Sequence, residues 1–276
     1  MATIADLLID GPTRVMAIVN VTPDSFAEQV HRGVDQAIKQ GFELWEQGAD
    51  LIDVGGQSSR PGAAQIGLDE ELVRVVPVIE ALASAGVAVS VDTMRSGVAA
   101  AAIRAGAIMV NDVSGGLADP DMVAMVAREP VGYVLQHWRK AFDHESSHVD
   151  VVSEVCSELA ERTQVAIDRG VDPNRLVIDP GIGFGKTTTQ NWELIAHPYA
   201  LAELGFPVLW GVSRKSVLAG VFETATKPWQ RDAAGVALTT CLAQHAVWAV
   251  RTHTVSDHRA AIAVVESLLK AQVGQR

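Results

Sequence analysis

One alternation runs along this chain and constrains its fold more than any other feature: short apolar runs, each followed by a longer amphipathic stretch. Apolar runs of about five residues are typical of parallel strands, and amphipathic stretches between them are typical of the helices that cover such a sheet. The alternation therefore predicts an α/β fold. Eight candidate strands follow from it, at residues 14–20, 50–55, 88–92, 107–112, 132–137, 175–180, 207–213 and 249–253.

Eight strands with intervening helices predict a (β/α)8 TIM barrel. The 276 residues match the size of one such barrel, and no low-complexity or Pro/Gly/Ser-rich segment divides them. We therefore expect a single domain over residues 1–276. An open doubly wound sheet is the alternative, but no G-x-G-x-x-G pattern follows the first strand, which disfavours it.

Charge and composition exclude several classes of partner. The net charge of -11 leaves little basic surface for nucleic acid. The opening residues MATIADLLIDGP lack the basic region of a secretory signal, so we expect a cytoplasmic protein. The longest uncharged run, residues 233–250, contains Thr, Gln and His and predicts a buried helix running into a strand, not a membrane span. Cys156 and Cys241 lie in helical patterns without C-x-x-C spacing, which predicts core packing in a reducing compartment.

Polar side chains end every candidate strand. In a TIM barrel the active site is built at the carboxyl ends of the strands, which here carry Asn20, Asp53, Asp92, Asn111 with Asp112, His137, Asp179, Ser213 with Lys215, and Arg251 with His253. A single Asp or Asn there is often a turn former or a helix cap, and this alternative stays open for Asp53 and Asp112. Eight polar strand ends around one mouth are costly to bury without a polar ligand, so the set predicts a binding site.

The inner residues of this set indicate a planar heterocycle. Asp92, Asn111 and Asp179 supply acceptors and an amide, which suit a ring that presents adjacent N–H groups and a carbonyl. Lys215 supplies a donor to an oxygen or nitrogen of the same ring.

Cationic residues indicate a phosphate or diphosphate. Arg251 and His253 lie two residues apart on a strand and so share a face, and Arg60 adds a third donor. Mg²⁺ on a diphosphate takes few protein ligands, all oxygen, and Asn20 is placed to be one.

Two glycine-rich stretches, residues 55–62 and 179–187, predict loops whose backbone approaches a ligand closely, although ordinary turns are the alternative for each. Phe26 and Phe184 lie in opposite loops. They could enclose an aromatic ring between them, or each could be a hydrophobic plug.

Seven segments resemble the dihydropteroate synthase family of pterin-binding enzymes. They occur in the family's order, span residues 14–253, and read MAIVNVTPDSF, GADLIDVGGQSSRPG, VSVDTMRSGVA, MVNDVSGG, LVIDPGIGFGKT, GVSRKSVL and VRTH. The resemblance implies a (β/α)8 barrel, usually a homodimer, that acts in folate biosynthesis with Mg²⁺. The implied reaction condenses 6-hydroxymethyl-7,8-dihydropterin diphosphate with p-aminobenzoate, and it gives 7,8-dihydropteroate and diphosphate.

The resemblance also implies a role for individual residues. The catalytic group would be Asp92, Lys215, Arg251 and His253. The pterin would be held by Asp92, Asn111, Asp179, Lys215 and Arg251, and the diphosphate by Asn20, Arg60, Arg251 and His253. Asn20 would also hold the metal, and p-aminobenzoate would lie against Phe26, Ser59, Arg60, Pro61, Phe184 and Ser216.

Departures from the family pattern are concentrated in the outer pocket. Where the family usually continues S-D-G-G after Phe26, this chain has residues 27–30, AEQV, which should change the path of the first loop. Gln57 replaces the common Glu, Ser59 the common Thr, and Gln136 stands where a Met is frequent. These changes leave open a sulfonamide-insensitive enzyme and a non-catalytic pterin-binding paralogue. A methyltetrahydrofolate-corrinoid methyltransferase is a further alternative that would need no diphosphate site.

Overall fold

The structure is a computed structural model that describes residues 3–21, 27–57, 66–139, 150–221, 227–245 and 247–273, without the side chains of residues 27–32 and 273. In these ranges eight strands alternate with helices. The strands are β1 Arg14–Asn20, β2 Leu51–Gly55, β3 Val89–Asp92, β4 Met109–Asp112, β5 Gly132–Gln136, β6 Leu176–Asp179, β7 Leu209–Trp210 and β8 Ala249–Thr252. The helices are α1 Ile4–Leu8, α2 Ala27–Glu46, α3 Leu68–Ser84, α4 Ser96–Arg104, α5 Met122–Val126, α6 Val151–Asp168, α7 Thr188–Ala196, α8 Pro198–Ala202, α9 Asp232–Ala243 and α10 Ser256–Val273.

All strand pairs are parallel and follow the order β6-β5-β4-β3-β2-β1-β8-β7. The two ends of this order are β6 and β7. A parallel bridge between Ile178 and Val208 joins β6 to the residues just before β7, and the amide of Ile178 donates to the carbonyl of Pro207 at 2.9 Å. The sheet therefore closes into the expected (β/α)8 barrel.

Alternating side chains divide the core into two layers. On β1, Val15, Ala17 and Val19 face outward and pack in the large cluster between sheet and helices. Met16 faces inward and belongs to a smaller cluster that fills the barrel near the amino ends of the strands, with Met109, Val134, Val177 and Leu209. The polar strand ends lie at the opposite end, so the site has an apolar floor.

Helix α1 closes the floor from outside. Its buried residues Ile4 and Leu7 join the inner cluster, and the indole nitrogen of Trp248 donates to the carbonyl of Leu7 at 2.7 Å. Thr3 caps the helix through a reciprocal pair of hydrogen bonds with Asp6. The amino end of the barrel is thus plugged by apolar side chains.

Three expectations change in detail. Strand β7 covers only Leu209–Trp210, because the chain leaves the sheet before the end of the expected run at 207–213. Residues 27–30 form the first turn of α2 rather than part of the first loop. The prediction that Cys241 packs in the core is wrong: α9 leaves it exposed, while Cys156 is partly buried on α6.

Residues 233–250 run from α9 into β8, as expected. Among the described residues, no helix has both the length and the apolar character needed to cross a membrane.

Candidate active site

The centre of the barrel mouth is a guanidinium shared by two buried carboxylates. Arg251 on β8 donates from Nε to Asp53 and from Nη2 to Asp92, both at 2.6 Å. Asn111 on β4 donates to the same oxygen of Asp53 at 2.8 Å. Strand alternation turns all four side chains inward, as the sequence predicted for Arg251, Asp92 and Asn111. Asp53 thereby belongs to the site and is not a turn former.

Burial changes the acidity of Asp92 and leaves acceptors available. Burial raises the pKa of Asp92 to about 7, although the charge of Arg251 acts in the opposite direction. Oδ1 of Asp53 and Oδ1 of Asn111 are buried and have no hydrogen-bond partner among the described residues. Buried acceptors in this state are expected to receive N–H donors from a ligand.

Lys215 and Asp179 form the second half of the inner site. Nζ of Lys215 donates to the carbonyl of Ile182 at 2.5 Å and lies 4.8 Å from the centre of the Phe184 ring. Burial lowers the pKa of Lys215 to about 8, opposed by the charge of Asp179. Burial raises the pKa of Asp179, opposed by Lys215 and by the amide of Gly181. Lys215 and Asp179 thus supply a donor and an acceptor at the same side of the mouth.

Glycine at position 211 gives these two groups their space. A Cβ there would lie 3.5 Å from Nζ of Lys215 and 3.8 Å from Oδ2 of Asp179. The chain has just left β7 at this point.

The segment after β7 holds one strained residue. Arg214 has a backbone φ of 60°, a left-handed conformation that residues other than glycine seldom adopt. Its guanidinium makes two bonds to Asp232 on α9, of 2.7 and 2.8 Å. This ion pair holds the turn that places Ser213 and Lys215 at the mouth.

His253 stands beside Ser213 at the end of β8. Nδ1 of His253 lies 3.0 Å from the hydroxyl of Ser213. The intervening Thr252 faces outward, where its hydroxyl lies 2.8 Å from Nε2 of the buried His258. Arg251 faces inward on β8, whereas His253 lies beyond the end of the strand, so its place on the same face stays a prediction.

Asn20 ends β1 next to this group and is exposed. A Cβ at Gly55 would lie 3.7 Å from the amide oxygen of Asn20 and 3.6 Å from Oδ2 of Asp92. The described residues contain no cluster of three His, Cys, Asp or Glu side chains that could hold a metal alone. An exposed amide oxygen at this strand end fits Mg²⁺ that takes its other ligands from a diphosphate and water.

Two polar strand ends do not join the site. Asp112 follows the inward Asn111 and faces outward, where it accepts from Ser114, Gly116 and the hydroxyl of Tyr133 at 2.7–2.9 Å. The turn-forming alternative is therefore correct for Asp112. His137 is fully buried on the outer side of β5, against Lys186 and Glu158. Its expected place at the mouth is wrong, because alternation gives the inward position to Gln136.

The outer pocket is described only in part. Phe184 is partly buried beside Lys215, and Ser216 is exposed at the start of a short 3₁₀ helix. The predicted residues Phe26, Ser59, Arg60 and Pro61 lie outside the described residues.

Arg95 also lies beside the site, although no sequence pattern indicated it. It pairs with the buried Glu71 and donates to Gln57 at 3.3 Å and to the carbonyl of Ile66 at 2.7 Å. These contacts join the residues on either side of segment 58–65. A cavity of about 290 Å³ lies beside the cluster and reaches Asp92. The sequence feature that could have identified Arg95 is its position three residues after Asp92, the last residue of β3.

Comparison with known proteins places this geometry in one family. Residues 16–253 match the family described as pterin binding enzyme. Dihydropteroate synthase of Mycobacterium leprae is 41% identical over 270 residues, 95% of each chain. That of Streptococcus pyogenes is 39% identical over 268 residues, 96% of this chain and 99% of its own.

Solved structures agree. Xanthomonas albilineans dihydropteroate synthase with 4-aminobenzoic acid has a TM-score of 0.85 and 44% identity, and the match covers 94% of this chain and 93% of that one. The same enzyme with 7,8-dihydropteroate has a TM-score of 0.82, 40% identity and the same coverage. A Yersinia pestis dihydropteroate synthase in a sulfonamide complex gives 0.86, 34% identity and coverage of 94% and 95%. The chain belongs to the pterin binding enzyme family, among the dihydropteroate synthases.

Proposed function

We propose that this chain condenses 6-hydroxymethyl-7,8-dihydropterin diphosphate with p-aminobenzoate to 7,8-dihydropteroate and diphosphate, as an enzyme of folate biosynthesis. The observation that carries the proposal is the group of Asp92, Asn111, Asp179 and Lys215 at one barrel mouth, next to the guanidinium of Arg251. Acceptors for ring N–H groups and a donor for a ring carbonyl lie deeper than the groups suited to phosphate. The pterin ring is therefore assigned the inner position.

The pterin contacts follow from the unsatisfied atoms. The free amide oxygen of Asn111 and the carboxylates of Asp92 and Asp179 accept from ring and exocyclic N–H groups. Lys215 donates to the ring carbonyl or a ring nitrogen. Arg251, already held by its two carboxylates, stacks beside the ring and reaches the diphosphate.

The diphosphate is assigned to the cationic rim. Arg251 and His253 share the inner face of β8 and donate to its oxygens, with Arg60 as a third donor and Asn20 nearby. Asn20 would hold Mg²⁺, which neutralises charge on the leaving diphosphate when bound. This assignment is supported by the exposure of Asn20 at the end of β1.

The chemical step breaks the bond between the pterin methylene carbon and the diphosphate oxygen. The electron pair leaves with the diphosphate, and positive charge develops on the methylene carbon and the ring. The carboxylate of Asp92 stabilises that charge by preorganised electrostatics, since it is already oriented by Arg251. The arylamine nitrogen then forms the new bond and releases a proton to solvent.

p-Aminobenzoate is assigned to the outer pocket. Phe184 offers an aromatic face, and Ser216 offers a hydroxyl at the amino end of a 3₁₀ helix for the carboxylate. Phe26, Ser59, Arg60 and Pro61 complete the proposed contacts. The Xanthomonas structure with 4-aminobenzoic acid supports p-aminobenzoate as a ligand of this chain.

An assay with both substrates tests the function, with product mass as the readout, with and without Mg²⁺. We expect 7,8-dihydropteroate and diphosphate from the wild type with Mg²⁺, at least about tenfold less from Lys215→Ala, and a loss of rate with chelator. Inhibition by a sulfonamide in competition with p-aminobenzoate is expected as well. Pterin diphosphate binding without product would favour the non-catalytic paralogue and overturn the proposal.

We propose that the chain is a single cytoplasmic domain that forms a homodimer. The dimer is supported by an apolar groove on α10, lined by Ala263, Val264, Ser267 and Leu268, where the two large side chains are 56% and 54% exposed. Light scattering after gel filtration should give twice the mass of one chain, and Leu268→Glu should shift it toward one. A wild-type monomer at micromolar concentration would contradict the dimer.

A further inference from the structure

A buried lysine that the proposed chemistry does not use lies beneath the loop between β6 and α7. Lys186 is 4% exposed. Its Nζ lies 3.0 Å from the carbonyl oxygen of Gly181, 3.1 Å from that of Phe184 and 2.9 Å from Nδ1 of His137. An ammonium has three N–H donors, and these three acceptors use all of them.

His137 is suited to accept one of these bonds. Burial, together with the positive charges of Lys186, Arg162 and Arg139, lowers the pKa of His137 to about 2, so the ring is neutral. With Nδ1 as the acceptor, the ring proton is assigned to Nε2. Nε2 lies 3.1 Å from a carboxylate oxygen of Glu158, although the N–H direction is not aligned for a regular hydrogen bond.

One backbone hydrogen bond, from the amide of Phe184 to the carbonyl of Gly181 at 3.0 Å, supports the loop above Lys186 from within. Gly181 has φ 66, and a Cβ there would lie 1.9 Å from the carbonyl oxygen of His137, so the loop packs directly on the end of β5. Gly183 has φ 82, and its amide donates to Asn191 on α7 at 2.7 Å. The Lys186 ammonium supplies the contacts from the opposite, buried side.

The same loop presents two groups to the site. The carbonyl of Ile182 accepts from Nζ of Lys215, and the ring of Phe184 lies 4.8 Å from that nitrogen. Lys186 donates to the carbonyl of Gly181, which directly precedes Ile182, and to the carbonyl of Phe184 itself. A shift of the loop would therefore move both the Lys215 ammonium and the aromatic wall of the outer pocket.

We infer that Lys186 is a positioning residue, whose three hydrogen bonds fix the 180–186 loop and thereby place Lys215 and Phe184 for the condensation. The inference rests on the proposed function of the site. Lys186 touches neither substrate and acts through the Ile182 carbonyl and the Phe184 ring. It adds to the site a residue that carries no role in the assignments above.

The three acceptors around Nζ of Lys186 require three N–H donors, and an ammonium supplies three. A methionine of similar length fills the space but removes the donor to the carbonyl of Phe184 and to Nδ1 of His137, and leaves the carbonyl of Gly181 with the amide of Phe184 alone. A glutamine keeps two N–H donors, and so restores part of the arrangement. A graded loss from lysine to glutamine to methionine is therefore the signature of the proposed role.

The test compares Lys186→Met and Lys186→Gln with the wild type at pH 6.5. Burial, opposed by the charge of Asp179, lowers the pKa of Lys186 to about 7, so at this pH most of the lysine is an ammonium. The control is Lys270→Met, the same change at a side chain that is 80% exposed on α10. Steady-state rates with varied p-aminobenzoate and saturating pterin diphosphate give KM and kcat, and melting curves report folding.

We expect the KM for p-aminobenzoate to rise at least about fivefold in Lys186→Met and kcat/KM to fall at least about tenfold, with smaller changes in Lys186→Gln. Lys270→Met should match the wild type. A folded Lys186→Met with lower melting temperature but wild-type KM and kcat would show a purely structural lysine and overturn the inference. If Lys186→Met does not fold, Lys186→Gln decides by the same criterion. Lack of dihydropteroate from the wild type would instead refute the proposed function.

Discussion

Replacing Arg251 with methionine is expected to destabilise the folded protein by about 3–5 kcal/mol at pH 7.5, and to abolish measurable turnover. The change leaves Asp53 and Asp92 facing each other without the cation that both now contact at 2.6 Å. A buried charge without a partner destabilises the folded state by far more than the intact ion pair stabilises it. The proposed diphosphate site also loses its central donor.

Urea unfolding measures the stability part of this prediction. Arg104→Met is the matched control, because Arg104 is exposed at the end of α4 and should change stability by no more than about 0.5 kcal/mol. The double variant Asp92→Asn/Arg251→Met should recover part of the loss, since one of the two unpaired carboxylates is gone. Equal urea midpoints for Arg251→Met and Arg104→Met would contradict the central role of this ion pair.

Replacing Asp92 with asparagine should have opposite effects on activity and stability. Turnover should fall at least about tenfold, equivalent to about 1.4 kcal/mol of transition-state stabilisation, because the developing positive charge loses its carboxylate. The apo-protein should become more stable at pH 7.5, because burial raises the pKa of Asp92 from 3.8 to about 7 and ionising it in the folded state is unfavourable.

The direction of this pH dependence follows from the number of protons that the folded and unfolded states bind. Between the unfolded pKa near 3.8 and the folded pKa near 7, the folded state binds more protons, so stability falls as pH rises through this window. Asparagine does not titrate. The melting temperature of Asp92→Asn should therefore exceed that of the wild type by a margin that grows from pH 5 to pH 7 and then levels off. A constant margin over this range, or wild-type turnover, would contradict the role given to Asp92.

Much of this architecture could be predicted because it depends on local periodicity. The run at 14–20 matches β1 at both ends, and the alternation along β8 turns Arg251 inward to the carboxylates, as expected. The expected run at 207–213 was too long, because a run of apolar residues does not show where the chain leaves the sheet, and β7 covers Leu209–Trp210. Cys241 could not be placed, since its helix is apolar on most sides and gives no clear buried face.

The sequence predicted the site residues that lie at inward-facing strand ends. It did not predict residues whose contacts are with distant parts of the chain. Lys186 meets His137 across 49 positions, and no periodicity reports such a pair. His137 was misplaced, and the two alternatives for Asp112 are decided, for a simpler reason. Each follows an inward residue, so the two-residue period of a strand turns it toward the helices.

The apolar floor beneath the site has a kinetic consequence. Ile4 and Leu7 of α1 pack against the inner cluster and close the amino end of the barrel, so the mouth is the shared passage for both substrates and both products. Under the proposed assignment the pterin occupies the deeper position and p-aminobenzoate lies over it. The arylamine bound first would obstruct the entry of the pterin, and binding is therefore expected to be ordered, with the pterin diphosphate entering first.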